Sequence, residues 1–276
     1  MKTKGFKESW KRNNCEDCVY CKLIGKGSVT QSIRSCTKLD EPFQVMLEDT
    51  CDEFVKAMPL HLEITMSYFN IPKKQFDIDK VLNVYFYGSH NYKTNNDDSD
   101  MDYIIVYDQD DDISDTIKAT AGGVELNATL ISPEYFQKLI DKHDISVLES
   151  LNIQEKYKFE RKYFSYDIDL SKLRESISST SSNSWVKCKK KLAQGDDLIG
   201  YKSLFHSLRI LDFGIQLAKH AKIVSFDKPV SNSLKYNNFS ELLNEIKSKK
   251  DWDDIYDKYK KVYNSLRTEF KLIAPK

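Results

Sequence analysis

The sequence predicts an α+β fold, a small mixed sheet with helices followed by a C-terminal helical domain. Two observations predict it, and a third marks off the front of the chain. Short apolar runs bounded by glycine and polar turns fill the middle of the chain, at Val81–Tyr87, Asp102–Tyr107 and Val124–Ile131. After Arg161 the apolar residues recur at three and four, the helical spacing. Cysteine gathers at the front, with Cys15, Cys18, Cys21, Cys36 and Cys51 in the first fifth and only Cys188 beyond it. The expected organisation is a cysteine-rich segment at 1–42, a mixed core at 43–165 and a helical domain at 166–276.

The elements follow in order. Phe43, Met46, Leu47, Cys51, Phe54, Val55 and Met58 keep helical spacing, with Pro42 at the start and Pro59 as a stop. Leu60–Phe69 reads as a second helix. Val81–Tyr87 reads as a buried strand, and Gly88–Ser99 as a turn region rich in Asn, Asp and Ser. A second strand at Asp102–Tyr107 leads into an acidic loop, Asp108–Asp115. Gly122-Gly123 breaks the chain before a third strand, Val124–Ile131. Ser132-Pro133-Glu134 is a helix start, with a serine cap and proline in the first turn. Its helix carries Tyr135, Phe136, Leu139 and Ile140, and Ile145–Leu151 forms another. Further helices are expected at Leu170–Ser178, Ser184–Gln194, Leu198–Ala221, Phe239–Lys249 and Trp252–Leu272, with the Ser/Thr stretch Ser176–Ser184 as a flexible junction.

At 276 residues the chain can bury a core and hold two domains. Its 42 basic and 42 acidic side chains cancel, so a nucleic-acid partner would have to meet a local basic patch. The opening Met-Lys-Thr-Lys-Gly-Phe-Lys-Glu has no apolar h-region, and no run reaches the roughly 18 apolar residues of a membrane span. The expectation is a soluble cytoplasmic protein without a membrane partner.

The chemistry centres on Gly88-Ser89, ten residues from His90 to Ser99, and then Asp100-Met101-Asp102. Strand side chains alternate, so Asp100 and Asp102 share one face. A glycine lets backbone approach a ligand, and its neighbours' amides with the Ser89 hydroxyl can cradle phosphate oxygens. Two carboxylates beside such a turn can hold two divalent cations about 3.5–4 Å apart against a phosphate chain. Glu125, early in the third strand, is placed to complete the shell of one ion and draw the acceptor proton. The plain alternative is a solvated acidic turn. Asp97, Asp98, Asp108, Asp110, Asp111 and Asp112 are read that way, and His90 as a structural turn residue.

These residues resemble the DNA polymerase β superfamily of nucleotidyltransferases. The pattern is an apolar strand, Gly-Ser, about ten residues, Asp-x-Asp, and an acid on the next strand. Within it, Tyr-Gly-Ser-His-Asn-Tyr followed by Asp-Ser-Asp-Met-Asp-Tyr is similar to the nucleotidyltransferases that accompany RNA ligases in phages and bacteria. The resemblance covers Asp77–Leu151 well and the helical part loosely. Glutamate rather than aspartate at position 125 departs from much of the superfamily. What the resemblance implies is a minimal polymerase-β-like domain. It would use Mg2+ or Mn2+ on Asp100, Asp102 and Glu125 to move a nucleoside monophosphate from an NTP to a hydroxyl acceptor, releasing pyrophosphate. Gly88 and Ser89 would grip the triphosphate.

Lys202, His206 and Arg209 fall at spacings of four and three on one helix side. Lys202 and Arg209 are the candidates to face the triphosphate, since similar proteins close the cleft with a basic helix. Lys187, Lys189, Lys190 and Lys191 form a further cluster, either a contact for nucleic-acid phosphates or a solvated face. The association with RNA ligases makes RNA the preferred acceptor; a protein hydroxyl or a small molecule stays open. Cys15, Cys18, Cys21 and Cys36 could supply four thiolates to a structural zinc, while Cys51 falls on the apolar side of its expected helix. A second reading of the whole is a catalytically inactive, zinc-containing RNA-binding module.

Overall fold

The computed structural model describes residues 60–69, 76–109, 114–249 and 251–275, and the backbone of five short strands before Leu60. Two compact units emerge, residues 1–67 with 159–162 and residues 68–158 with 163–276.

In the first unit β1 (Phe6–Glu8) pairs antiparallel with β5 (Asp49–Cys51). β2 (Cys21–Lys26), β3 (Ser32–Cys36) and β4 (Phe43–Val45) form an antiparallel three-stranded sheet. The helix expected from Phe43 is therefore replaced by strands at Phe43–Val45 and Asp49–Cys51. Three-residue runs satisfy either periodicity, and backbone pairing with β3 and β1 decides between them. Cys21 stands opposite Cys36 in the β2–β3 register, and Cys51 opposite Phe6. Cys15 and Cys18 lie outside the described residues. α1 (Leu60–Ser67) falls within the helix expected there.

The second unit is built on β6 (Val81–Tyr87), β7 (Met101–Tyr107), β8 (Ser114–Ala121) and β9 (Val124–Ile131). With β10 (Lys158–Glu160) they make a mixed five-stranded sheet in the order β10-β6-β7-β9-β8. β7 and β9 are parallel; β6–β7 and β8–β9 are antiparallel. β8 was not expected from the sequence. Its residues Ser-Asp-Thr-Ile-Lys-Ala-Thr-Ala bury one large apolar side chain, Ile117, as suits a polar edge strand. The glycine pair is thus a two-residue hairpin turn. Ala121 faces Val124, and Gly122 and Gly123 carry φ of 57° and 86°, the left-handed backbone such a turn requires.

Ser132 caps α2 (Pro133–Asp141) by accepting a hydrogen bond from the Tyr135 amide. Asp144 caps α3 (Ile145–Asn152) in the same manner. Phe136, Ile140 and Val147 from these helices pack with Tyr85, Ile104 and Val106 from the sheet. The C-terminal part holds α4 (Leu170–Ala193), α5 (Asp197–His220), α6 (Phe239–Lys247) and α7 (Trp252–Ile273). The expected junction at Ser176–Ser184 is absent: α4 runs through it unbroken. Its serines are a packing surface, with Ser181 donating to the Ser207 carbonyl and Ser207 to the Ser181 carbonyl, both at 2.9 Å. Tyr92, Ile145 and Leu148 join the core of these helices, together with Leu208, Phe213 and Phe270. Among the described residues no helix is long and apolar enough to cross a membrane.

Candidate active site

Pairing sets a row of side chains across the sheet. Tyr87 faces Asp102, Asp102 faces Asn127, and Asn127 faces Lys118. Paired residues point to the same side, so all four share a face. Two residues further along, that face carries Tyr85, Ile104 and Thr129, of which Tyr85 and Ile104 belong to the core under α2. One strand face therefore passes from core at Ile104 to polar site at Asp102. One step before the Met101–Leu126 pair, the parallel register sets Asp100 level with Glu125.

The two aspartates converge. The Asn127 side-chain amide donates to Asp100 Oδ2 at 2.7 Å and reaches Asp102 Oδ1 at 3.5 Å. Burial raises the Asp102 pKa, the neighbouring Asp100 charge adds to it, and Asn127, His90 and Lys202 oppose it. A cation between the carboxylates would relieve both causes. Glu125 sits on the same face but turns outward, exposed and paired with Lys118 at 2.9 Å. Among the described residues no group of three acidic, histidine or cysteine side chains closes on one point. Asp100 and Asp102 are thus the two carboxylates that stand together, with Glu125 adjacent and paired to Lys118.

Gly88 ends β6 with φ +88°, and a Cβ there would lie 2.5 Å from Asp102 Oδ2. Only glycine permits both the backbone and the approach. The following residues turn tightly: Asn91 N donates to Gly88 O, Tyr92 N and Thr94 N to Ser89 O. A cleft of about 330 Å³ opens here, where Gly88, Ser89, Asp100 and Asp102 meet Lys187 of α4 and Lys202 of α5.

Residues 71–192 match the family model described as the nucleotidyltransferase domain. Over that stretch the chain is similar to the nucleotidyltransferase domain family. It is an enzyme of that class, as the Gly88–Asp102 pattern led us to expect. A nucleotidyltransferase-like protein from Exiguobacterium sibiricum 255-15 is similar in structure, at 7% identity and a TM-score of 0.27, over 71% of this chain and 69% of that one. So is an aminoglycoside 6-adenyltransferase from Bacillus subtilis, at 9% identity and a TM-score of 0.24, over 71% and 86%. No curated protein matches the chain.

Of the residues named from sequence for this nucleotidyltransferase, Gly88, Ser89, Asp100, Asp102 and Lys202 line one cleft. Arg209 also borders it, but its guanidinium is turned to a buried partner: Nη1 donates to Glu149 Oε1 at 2.6 Å. Tyr92 donates its hydroxyl to the other Glu149 oxygen, and the Arg209 guanidinium lies 3.9 Å over the Tyr92 ring. Burial works to lower the Arg209 pKa, but Glu149, with Tyr92 and Tyr87, more than offsets it and holds the group above its ordinary value. Burial pushes the Glu149 carboxyl up, against the pull of Arg209. Three residues escaped the sequence reading. Asn127 could have been found from two-residue periodicity, since it shares the face of Glu125. Lys118 lay in the unrecognised strand. Glu149 sits in an apolar helix 60 positions from Arg209 and carried no local signal. Asp97 and Asp98 are exposed turn residues away from the cleft. Asp110, Asp111 and Asp112 lie outside the described residues.

Proposed function

We propose that the chain transfers a nucleoside monophosphate from a nucleoside triphosphate to a hydroxyl acceptor, with magnesium or manganese as cofactor and pyrophosphate as co-product. The observation that carries this reading is the convergence of Asp100 and Asp102 beside the Gly88–Ser89 turn, across a cleft from Lys187 and Lys202. Asp100 and Asp102 would hold the divalent ions, with Glu125 joining them once released from Lys118. Such ions supply charge neutralisation for the triphosphate and a more acidic acceptor hydroxyl. The Gly88–Ser89 turn offers the Ser89 hydroxyl to phosphate oxygens. Lys202 and Lys187 face the leaving pyrophosphate, where a point charge stabilises what develops during transfer.

We take RNA as the acceptor, because Lys187 in the cleft is followed one turn along α4 by exposed Lys190, a basic edge that a phosphate backbone could follow. The facing of Cys21 and Cys36 across β2 and β3 supports a structural zinc shared with Cys15 and Cys18 as a separate feature.

The test uses triphosphates labelled at the α-phosphate, magnesium, and cell extract as acceptor source. Label should pass to RNA with matching pyrophosphate release, and Asp100→Ala and Asp102→Ala should each abolish it while keeping the wild-type circular dichroism spectrum. Turnover persisting in both folded variants, or in excess chelator, would remove the metal assignment. Label on polypeptide or a small molecule would leave the transfer standing and replace the acceptor.

A further inference from the structure

His206 lies in the wall of this cleft, between Lys202 and Arg209 on α5. Its Nδ1 is 3.3 Å from Arg209 Nη2. A guanidinium only donates, so Nδ1 must accept. A ring accepting at Nδ1 and lacking positive charge carries its proton on Nε2. Among the described residues, no hydrogen-bond partner takes that Nε2–H.

We infer that His206 is a fixed, neutral hydrogen-bond donor to the phosphate chain of the bound nucleotide, its Nε2–H held toward the cleft by the buried Arg209–Glu149 pair. This deepens the proposed nucleotide site and rests on it.

The surroundings enforce the neutral state. Arg209 and Lys202 face His206 from its own helix, Lys187 faces it from α4, and the Tyr92 ring meets it edge-on at 6.5 Å. The one nearby carboxylate in this network, Glu149, is already bonded to Arg209 and Tyr92. Burial, then Arg209, Lys202 and Lys187 bring the His206 pKa down to about 3. An imidazole so held cannot act as a general acid near neutrality, but it donates one hydrogen bond at every physiological pH. A phosphate oxygen is the acceptor this wall suits, because the ring stands among cations that draw an anion in. Arg209 is then a positioning residue: it touches no phosphate and acts by choosing the tautomer.

The experiment has two readouts on the full-length chain. In nitrogen-detected spectra of the side chains, the signals absent from His206→Gln belong to this ring. They should show a protonated Nε2 and a bare Nδ1, unchanged from about pH 8 to about pH 5, where an ordinary histidine titrates. Calorimetric titration with each of the four ribonucleoside triphosphates and magnesium gives the second. His206→Phe, which keeps the ring volume and loses the donor, should weaken binding about 10- to 100-fold. His206→Gln, which keeps a neutral donor, should retain most of it. Equal affinity in His206→Phe and wild type, or a ring that becomes cationic in that window, overturns the inference while leaving nucleotide binding intact. Absence of triphosphate binding in the wild type overturns the nucleotide site itself, and this role with it.

Discussion

At the scale of single residues, the closest constraint in the site is between Gly88 and Asp102. A methyl group at position 88 would meet Asp102 Oδ2 at 2.5 Å, on backbone that L side chains seldom adopt. Both effects act in Gly88→Ala, and relief of either displaces the carboxylate proposed to hold a cation. The backbone cost is about 1–3 kcal/mol. Displacement by an ångström or so costs about a hundredfold in rate. We predict a chain that still unfolds cooperatively in urea, at somewhat lower denaturant, and that transfers label about a hundredfold more slowly. Wild-type turnover in Gly88→Ala would show that the Asp102 carboxylate need not stand where it does. This part of the site was legible in the sequence because it is local: Gly88, Ser89, Asp100 and Asp102 obey strand alternation and turn chemistry within fifteen positions. Arg209 was legible only as a helix face. Spacing marks the side of α5 it occupies but not that Glu149 waits there.

At the scale of elements, α4 and α5 form an antiparallel pair whose contact surface is made of small residues. Ser181 and Ser207 exchange hydrogen bonds with each other's backbone, and a Cβ on Gly214 would lie 2.7 Å from Ile177 Cγ2. Such a seam lets two helices approach closely, and a large side chain in it separates them. Ser181→Leu should cost about 1–3 kcal/mol by overpacking, read as a lower urea midpoint with an unchanged slope. Ser181→Ala should cost about 1 kcal/mol, the value of one hydrogen bond. If the leucine substitution is tolerated as well as the alanine one, the seam is looser than its hydrogen bonds indicate. The same surface explains why a junction was expected at Ser176–Ser184. Serine favours turns in isolation and small contacts in a helix pair, and only the partner helix separates the two meanings. β8 was hidden for a related reason, since an edge strand exposing one face lacks the apolar run that marked β6, β7 and β9. The helix starts at Ser132 and the hydrophobic spacing of α5 and α7 depended on no distant partner, so they were read correctly.

At the scale of the whole molecule, the 42 basic and 42 acidic side chains give no net field, so charge acts through placement. The most consequential pair is Glu149 with Arg209, exposed by 1% and 3% at their side chains. It joins α3, α5 and, through Tyr92, the turn that follows Gly88. Residues from the sheet-side segments and from the C-terminal helices share one core, so both should unfold in a single transition. Removing one charge leaves the other buried without a partner: Glu149→Gln should cost about 3–5 kcal/mol. Replacing both, as Glu149→Leu with Arg209→Met, removes the burial of charge altogether and should recover much of that loss. Stability and activity then separate. The double variant regains its fold but not the guanidinium that holds the His206 tautomer, so nucleotide affinity should remain low even as the urea midpoint rises. A double variant restored in both respects would make the pair a matter of folding alone. One restored only in stability would mark it as charge kept in the interior for the sake of the cleft.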